Sequence, residues 1–355
     1  RLLARDLGAG VLAPEFETIT EAASGGSAAA PADADSAGPA QPQLVIVAAP
    51  PDVAGEVVTA ALLRWPDAVV TDVSSVKQAV LAQVSAAGAP VARYVGSHPM
   101  AGRERSGAIG AQADLFEGRP WVVVPHDASD AEAIDLVELV ARLTGAVATR
   151  MDAAAHDATV AAISHVPQVA ASLVAARLRN LPIDSMGLAG QGVRDVTRIA
   201  ASDPSLWTQI LAGNAPAVLS VLDDLALDLD RIRQALSSIQ GPGSPQDRAA
   251  PVSQPGPRAI LAGLVADGNA GHARIPGKHG SAPTTYAIVT VSIPDRPGEL
   301  GRLFLEVGEE GINLEDIHLE HGLGAQIGIL ELSVMPAAAD PLRAGLRARG
   351  WQLLD

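Results

Sequence analysis

The chain has 355 residues and 48% hydrophobic content, enough for two or three domains with sizeable cores, which excludes a disordered protein. Its formal net charge of -15 leaves no basic surface for nucleic acid or an anionic membrane and favours small-molecule work. With no cysteine, no metal-ligand spacing among the histidines and no apolar run long enough to cross a bilayer, the expectation is a metal-free, soluble cytoplasmic protein.

Residues 2–7 read as a helix end and Val11 with Leu12 as a short strand. Residues 24–43 are rich in Ala, Pro, Gly and Asp and cannot offset their ordering entropy by burial, so they read as a flexible loop. Residues 44–49 form a continuous apolar run closed by Pro50 and Pro51, as in a buried parallel strand. A helix over 53–64, a strand over 68–71, a helix over 76–84, strands over 92–95 and 120–124, a helix over 131–143 and a last strand over 146–150 continue the alternation. That order implies an α/β, doubly wound, Rossmann-like sheet.

From residue 153 to 236 the strand signals stop, and long apolar periodicities broken at Leu181–Pro182 and near Pro204 predict an all-helical domain. Asp203 and Pro204 read as N-cap and first-turn residue of a helix, which places Arg198 near the end of the preceding one. Residues 241–257 are a Pro, Gly and Ser-rich linker, followed by a helix over 258–266. The region 286–355 returns to strands in the order βαββαβ, a ferredoxin-like unit. Between these parts, residues 273–283 gather Arg274, Lys278 and His279 among glycines.

Chemistry concentrates in two stretches. The first contains DVSSVK (72–77) and GSHPMAGRERSG (96–107), which place Ser74, Ser75 and His98 at the carboxyl ends of strands, where open α/β sheets bind ligands. On pattern alone, His98 is either a catalytic group or a hydrogen-bonded loop histidine, and Ser74 reads as an ordinary helix cap. The second contains AISHVPQVAAS (162–172) and GQGVRDVTRIAASDPSLW (190–207). Arg198 there is either an anion-binding guanidinium or a routine helix-end charge, and Asp195, three residues before it, stands close enough on one face to orient it.

These strings resemble the prephenate and arogenate dehydrogenases of tyrosine biosynthesis, and IPDRPGELGRLFLEVGEEGINLEDI (293–317) resembles the ACT domain, an amino-acid-binding regulatory module. The first resemblance runs from about Leu44 to Trp207. Together the two resemblances imply a truncated Rossmann-like domain over 1–150, a helical substrate and dimerisation domain over 151–240, a linker with a helix over 241–283 and an ACT domain over 284–355. The first also implies NAD, with NADP not separated from it, and oxidative decarboxylation of prephenate. In the family's chemistry His98 matches the base for the substrate hydroxyl and Ser75 its hydrogen-bonding serine. Arg198 matches the carboxylate-binding arginine, with His165, Gln168, Asp195, Trp207 and Glu104 also at substrate positions. Arg103, Glu104 and Arg105 read equally as three solvated loop charges. Gln168 departs from the family's usual histidine, and its neutral amide, offering no carboxylate to an ammonium, favours prephenate over arogenate.

Pro50, Pro51 and Ser75 are the expected cofactor contacts. G-x-G-x-x-G occurs nowhere, which, with an opening Arg1, leads to the expectation that the phosphate-binding turn lies upstream of this chain. Asp295, Gly298 and Asn313 are the expected regulatory residues, with tyrosine as inhibitor and a homodimer as the assembly. Arogenate dehydrogenase and a catalytically inactive amino-acid sensor are the alternatives.

Overall fold

A computed structural model describes residues 42–102, 112, 114–240, 255–276, 285–321 and 326–354. The expectations for residues 2–12, for nearly all of 24–43, for Arg103, Glu104 and Arg105, for most of the 241–257 linker and for Lys278 and His279 lie outside them. The chain divides into two compact units, one of residues 1–180 with 195–226 and one of 181–194 with 227–355.

In the first unit β1 (Leu44–Val47) and β2 (Val69–Asp72) pair in parallel, Leu44 opposite Val69 and Val47 opposite Asp72. Between them α1 (Pro51–Arg64) starts on a proline, which is preset for a first helical turn and has no N–H to lose. A parallel bridge from Val70 to Tyr94 leads on to β3 (Gly96–Pro99), which runs antiparallel to β4 (Pro120–Val124), itself parallel to β5 (Val147–Arg150). The helices α1 and α2 (Gln78–Ala86) cover one face through Val58, Leu62, Val80 and Val84, and α3 (Ala131–Leu143) covers the other through Val137 and Ala141. Coverage of both faces is what the doubly wound reading requires.

Three local expectations are corrected. The strand predicted over 92–95 is a 3-10 turn, Val91–Arg93, and the strand itself is Gly96–Pro99, so His98 lies within it. The cause is Arg93, whose guanidinium reaches back to the carbonyl oxygens of Leu62, Trp65 and Ala68 around the end of α1. The helix predicted to start at Val76 starts at Gln78, and Ser74 does not cap it: its hydroxyl lies 2.6 Å from Asp72 Oδ2 and 3.0 Å from the Val76 carbonyl oxygen. The third concerns apolar length, because the continuous helical stretch Ala153–Leu178 is long and apolar enough by composition to cross a membrane. That stretch carries His156, Asp157, His165 and Gln168, all buried, and their hydrogen bonds run to other parts of the same unit.

The stretch consists of α4 (Ala153–Val160), a π-helical turn at Ala161–His165 and α5 (Val166–Leu178). The wider turn rotates everything after it relative to an unbroken α-helix, which sets the direction of His165. After α6 (Gln191–Thr197) and a 3-10 turn at Arg198–Ala200, α7 (Pro204–Gly213) opens on the predicted cap, with Asp203 accepting from the Ser205 N–H at 2.8 Å. The 26-residue α8 (Ala215–Gln240) follows.

The second unit contains α9 (Pro257–His272) and the expected βαββαβ sequence. Its elements are β6 (Ala287–Pro294), α10 (Glu299–Glu309), β7 (Asp316–His321), β8 (Ile327–Val334), α11 (Pro336–Ala348) and β9 (Gln352–Leu353). Strand order is β7-β8-β6-β9, antiparallel throughout. Alternate residues of β6 and β8 (Val289, Val291, Leu330, Leu332) meet Leu303, Val307, Leu342 and Leu346 of the two helices in one core. Gly298, at the entry to α10, has φ +91°, a left-handed conformation that disfavours any side chain.

Candidate active site

The site begins at the carboxyl end of β2. Asp72, fully buried, is a hub: its Oδ2 accepts from the Ser74 N–H at 3.0 Å and from the Lys77 ammonium, and its Oδ1 accepts from the Tyr94 hydroxyl at 2.7 Å. Lys77 also donates to the Ser97 carbonyl oxygen at 2.7 Å. The β2–α2 turn is thereby locked against the residue before His98. Gly96 packs closely here: a Cβ would lie 3.2 Å from both Lys77 Cδ and the Tyr94 hydroxyl, so a larger residue would have to displace them by a few tenths of an ångström. Burial pulls the Lys77 ammonium below its ordinary range, with Asp72 opposing, and pushes the Tyr94 phenol well up.

His98, half-buried on β3, meets His156 of α4: His98 Nδ1 lies 2.9 Å from His156 Nε2. The other nitrogen of His156, Nδ1, lies 2.7 Å from Asp157 Oδ1. Asp157 also accepts from the backbone N–H of Lys77 and of Gln78, each at 2.9 Å, and so caps the start of α2 from across the fold. Burial above all, then Lys77, His156 and His165, holds His98 well below the ordinary imidazole value of 6.5. Such a ring is a neutral proton acceptor at physiological pH.

A second group adjoins the first. Asn214 Nδ2 donates to the Asp157 carbonyl oxygen at 2.8 Å and lies 3.1 Å from His165 Nδ1, and the His165 ring stands edge-on to Trp207 at 6.2 Å. Burial lowers His165 to about 4, with Asp157 opposing and His156 reinforcing. Next to Trp207 lies an apolar cleft of ≈ 360 Å³, lined by Gln168, Ser172, Ser202, Pro204 and Leu211 among others. Gln168 is buried, its amide 3.4 Å from the hydroxyls of both Ser172 and Ser202.

Of the sequence-predicted residues, His98 heads the histidine chain, His165 and Trp207 stand together, and Gln168 with Trp207 lines the cleft. Arg198 is exposed on the 3-10 turn whose last residue, Ala200, also lines it, and Asp195 is exposed on the last turn of α6. Glu104 lies outside the described residues. Pro50 and Ser75 follow β1 and β2, whose ends are tied by the Val73 N–H to the Val47 carbonyl at 3.1 Å. The side chains there are small (Ala48, Ala49, Ser74, Ser75), so a flat ring can approach the backbone, and the residues fit the nicotinamide end of a dinucleotide. Pro50 and Pro51 have no N–H, so neither can donate a backbone hydrogen bond to such a group. Sequence reasoning missed His156, Asp157, Asn214 and the roles of Asp72 and Lys77. The adjacent His-Asp pair in an otherwise alanine-rich helix start was the available signal.

Comparison with known proteins identifies the family. The family described as prephenate dehydrogenase, nucleotide-binding domain, matches residues 17–150, and prephenate dehydrogenase, dimerization domain, matches 152–243. The probable prephenate dehydrogenase NovF of Streptomyces niveus is 35% identical over 337 residues, 94% of this chain and 88% of that protein. The prephenate dehydrogenase of Bacillus subtilis is 30% identical over 268 residues, 74% of this chain and 67% of that protein. The crystal structure of Synechocystis arogenate dehydrogenase superposes with a TM-score of 0.52 at 25% identity, over 65% of this chain and 78% of that one. With its sheet, its helical part and these matches taken together, the chain belongs to the prephenate dehydrogenase family of NAD-dependent oxidoreductases.

Proposed function

We propose that this protein oxidises and decarboxylates prephenate to 4-hydroxyphenylpyruvate in tyrosine biosynthesis, with His98 as the base that takes the proton of the ring hydroxyl. The observation that carries the reading is His98 itself: a neutral imidazole on β3, one nitrogen engaged by a buried histidine, beside the loop that follows β2. Ser75 shares the substrate hydroxyl with it, and Arg198 pairs with a substrate carboxylate through its two-pronged guanidinium. His165, Trp207, Gln168, Asp195 and Glu104 complete the substrate side, while Pro50, Pro51 and Ser75 border the nicotinamide. NAD, when bound, accepts the hydride from the substrate carbon. The residues position the ring, exclude water and hold the hydroxyl proton on His98. His98→Asn is expected to lower kcat by about 10²- to 10⁴-fold with KM nearly unchanged. Equal kcat in variant and parent would remove His98 from the mechanism.

Gln168 separates prephenate from arogenate in this reading, because a buried neutral amide gives an ammonium no counter-charge. The resemblance to an arogenate dehydrogenase keeps that substrate as the second reading. Assay of both substrates with the parent and with Gln168→His decides: an unshifted preference takes Gln168 out of the substrate site.

We further infer the four-part division into a nucleotide domain over 1–150, a helical dimerising domain over 151–240, a linker over 241–283 and an ACT domain over 284–355, in a cytoplasmic homodimer. The βαββαβ order and the left-handed Gly298 support the last part. The exposed Asp295 and Asn313, with Gly298, supply its amino-acid contacts, and tyrosine is the expected inhibitor. A chain ending before residue 284 should stay active and ignore tyrosine. A full-length enzyme indifferent to tyrosine would refute the regulatory role.

A further inference from the structure

The chain His98, His156, Asp157 has a direction. A carboxylate oxygen only accepts, so the 2.7 Å contact to Asp157 Oδ1 puts a hydrogen on His156 Nδ1. With that nitrogen protonated, a neutral His156 presents a lone pair at Nε2. The 2.9 Å contact to His98 Nδ1 then has His98 as donor. His98 is left with its hydrogen on Nδ1 and its lone pair on Nε2.

We propose that His156 and Asp157 are positioning residues that fix His98 as the Nδ1–H tautomer, so that Nε2 is the atom that takes the substrate proton. In the step itself the substrate O–H bond breaks and an Nε2–H bond forms, making His98 an imidazolium. Its Nδ1–H goes on donating to His156, and the new charge is steadied through His156 by the Asp157 carboxylate. Both positioning residues are buried, 0% and 1% exposed, so no water replaces either partner without a cavity opening. Asp157 is held in this orientation while α2 is intact, because its two oxygens also accept from the N–H groups of Lys77 and Gln78. The first turn of α2 thus sets the carboxylate, the carboxylate sets His156, and His156 sets the base. Among the described residues, the remaining charged group facing His98 is Lys77, which is engaged by Asp72 and the Ser97 carbonyl.

The opposite arrangement has His156 as an imidazolium donating from Nε2, which forces the hydrogen of His98 onto Nε2 and removes the lone pair that the reaction needs. Imidazole nitrogen-15 shifts of the full-length protein distinguish the two, with His98 assigned by its loss in His98→Asn. Protonated Nδ1 and bare Nε2 at neutral pH are expected, and the reverse pattern overturns the proposal. Kinetics adds a second arm. His156→Leu should lower kcat about 10²- to 10³-fold with KM within about threefold, while His156→Gln, whose amide oxygen can accept from His98, should recover most of that loss. A His156→Leu enzyme with parental kcat also overturns it. The proposal rests on His98 being the base, and His98→Asn tests that separately: undiminished kcat there defeats the base assignment, while the nitrogen-15 pattern still reads the tautomer. If the His156 variants fail to fold, the parent spectrum alone decides.

Discussion

At the scale of single residues, Arg198 and His165 carry the sharpest expectations. Arg198 is exposed, free of the desolvation that weakens buried charges, and a guanidinium on a short turn beside an apolar cleft suits a carboxylate that arrives with the substrate. Arg198→Gln should raise the KM for prephenate about 10- to 100-fold, the worth of one or two charge-assisted hydrogen bonds, with NAD binding unchanged. An unchanged KM would end the assignment. His165 bears on stability. Its folded value of about 4 lies below the ordinary 6.5, so between those values the unfolded chain binds more protons than the folded one. The contribution is therefore present above pH 6.5 and drains away as pH falls toward 4, and the depressed His98 adds in the same sense. Denaturant midpoints should fall from pH 7 to pH 4.5, with a shallower slope in His165→Asn. An identical slope in that variant would show that the burial of His165 is not what couples stability to pH.

At the scale of elements, Arg93 shows why some of the fold was legible and some was not. The segment Val91–Val95 has the composition of a strand, and nothing local says otherwise. What bends it is a guanidinium closing on three carbonyl oxygens that belong to residues about 25 to 31 positions earlier. By contrast β4 and α3 were legible to the residue, because their apolar periods and their boundaries agree and no distant group competes. The βαββαβ order was equally plain from its alternation. In the site, His98 and Arg198 were visible through their strings, whereas His156 and Asp157 lie outside them. Their role exists only once β3 and α4 are in contact across 58 residues of chain. Arg93→Ala should cost about 2 to 3 kcal/mol by urea unfolding, since a charged donor leaves buried carbonyls unpaired, while kcat of the folded fraction stays near parental. A loss below 0.5 kcal/mol, on the order of an ordinary surface substitution, would mean that the clasp is ornamental.

For the whole molecule, the informative surface is on α8. Leu229, Ile232, Leu236 and Ile239, in the second unit, recur at alternating steps of three and four, and Leu229 and Leu236 are each about half exposed. That spacing makes one continuous apolar seam of the kind that pairs helices. It lies within the stretch matched by the family's dimerization domain. Leu229→Glu should therefore shift the protein toward monomer in sedimentation at micromolar concentration, while a glutamate at the exposed Asp230 position should not. Equal sedimentation of Leu229→Glu and parent would take this seam out of the proposed dimer.

Asp157 holds the opening turn of α2 and the proton-accepting chain with the same two oxygens. Helix ends fray well before a domain melts. Each time that turn frays, the carboxylate loses its backbone partners and the imidazoles lose their alignment, although the sheet beneath is intact. Warming or mild denaturant should thus silence the enzyme ahead of any spectroscopic sign of unfolding, and cooling should restore it without a refolding lag. Heat tolerance of the activity is then governed by a few residues at one helix tip, and a screen for thermostable variants that scores only the melting point will pass over the substitutions that extend its working range.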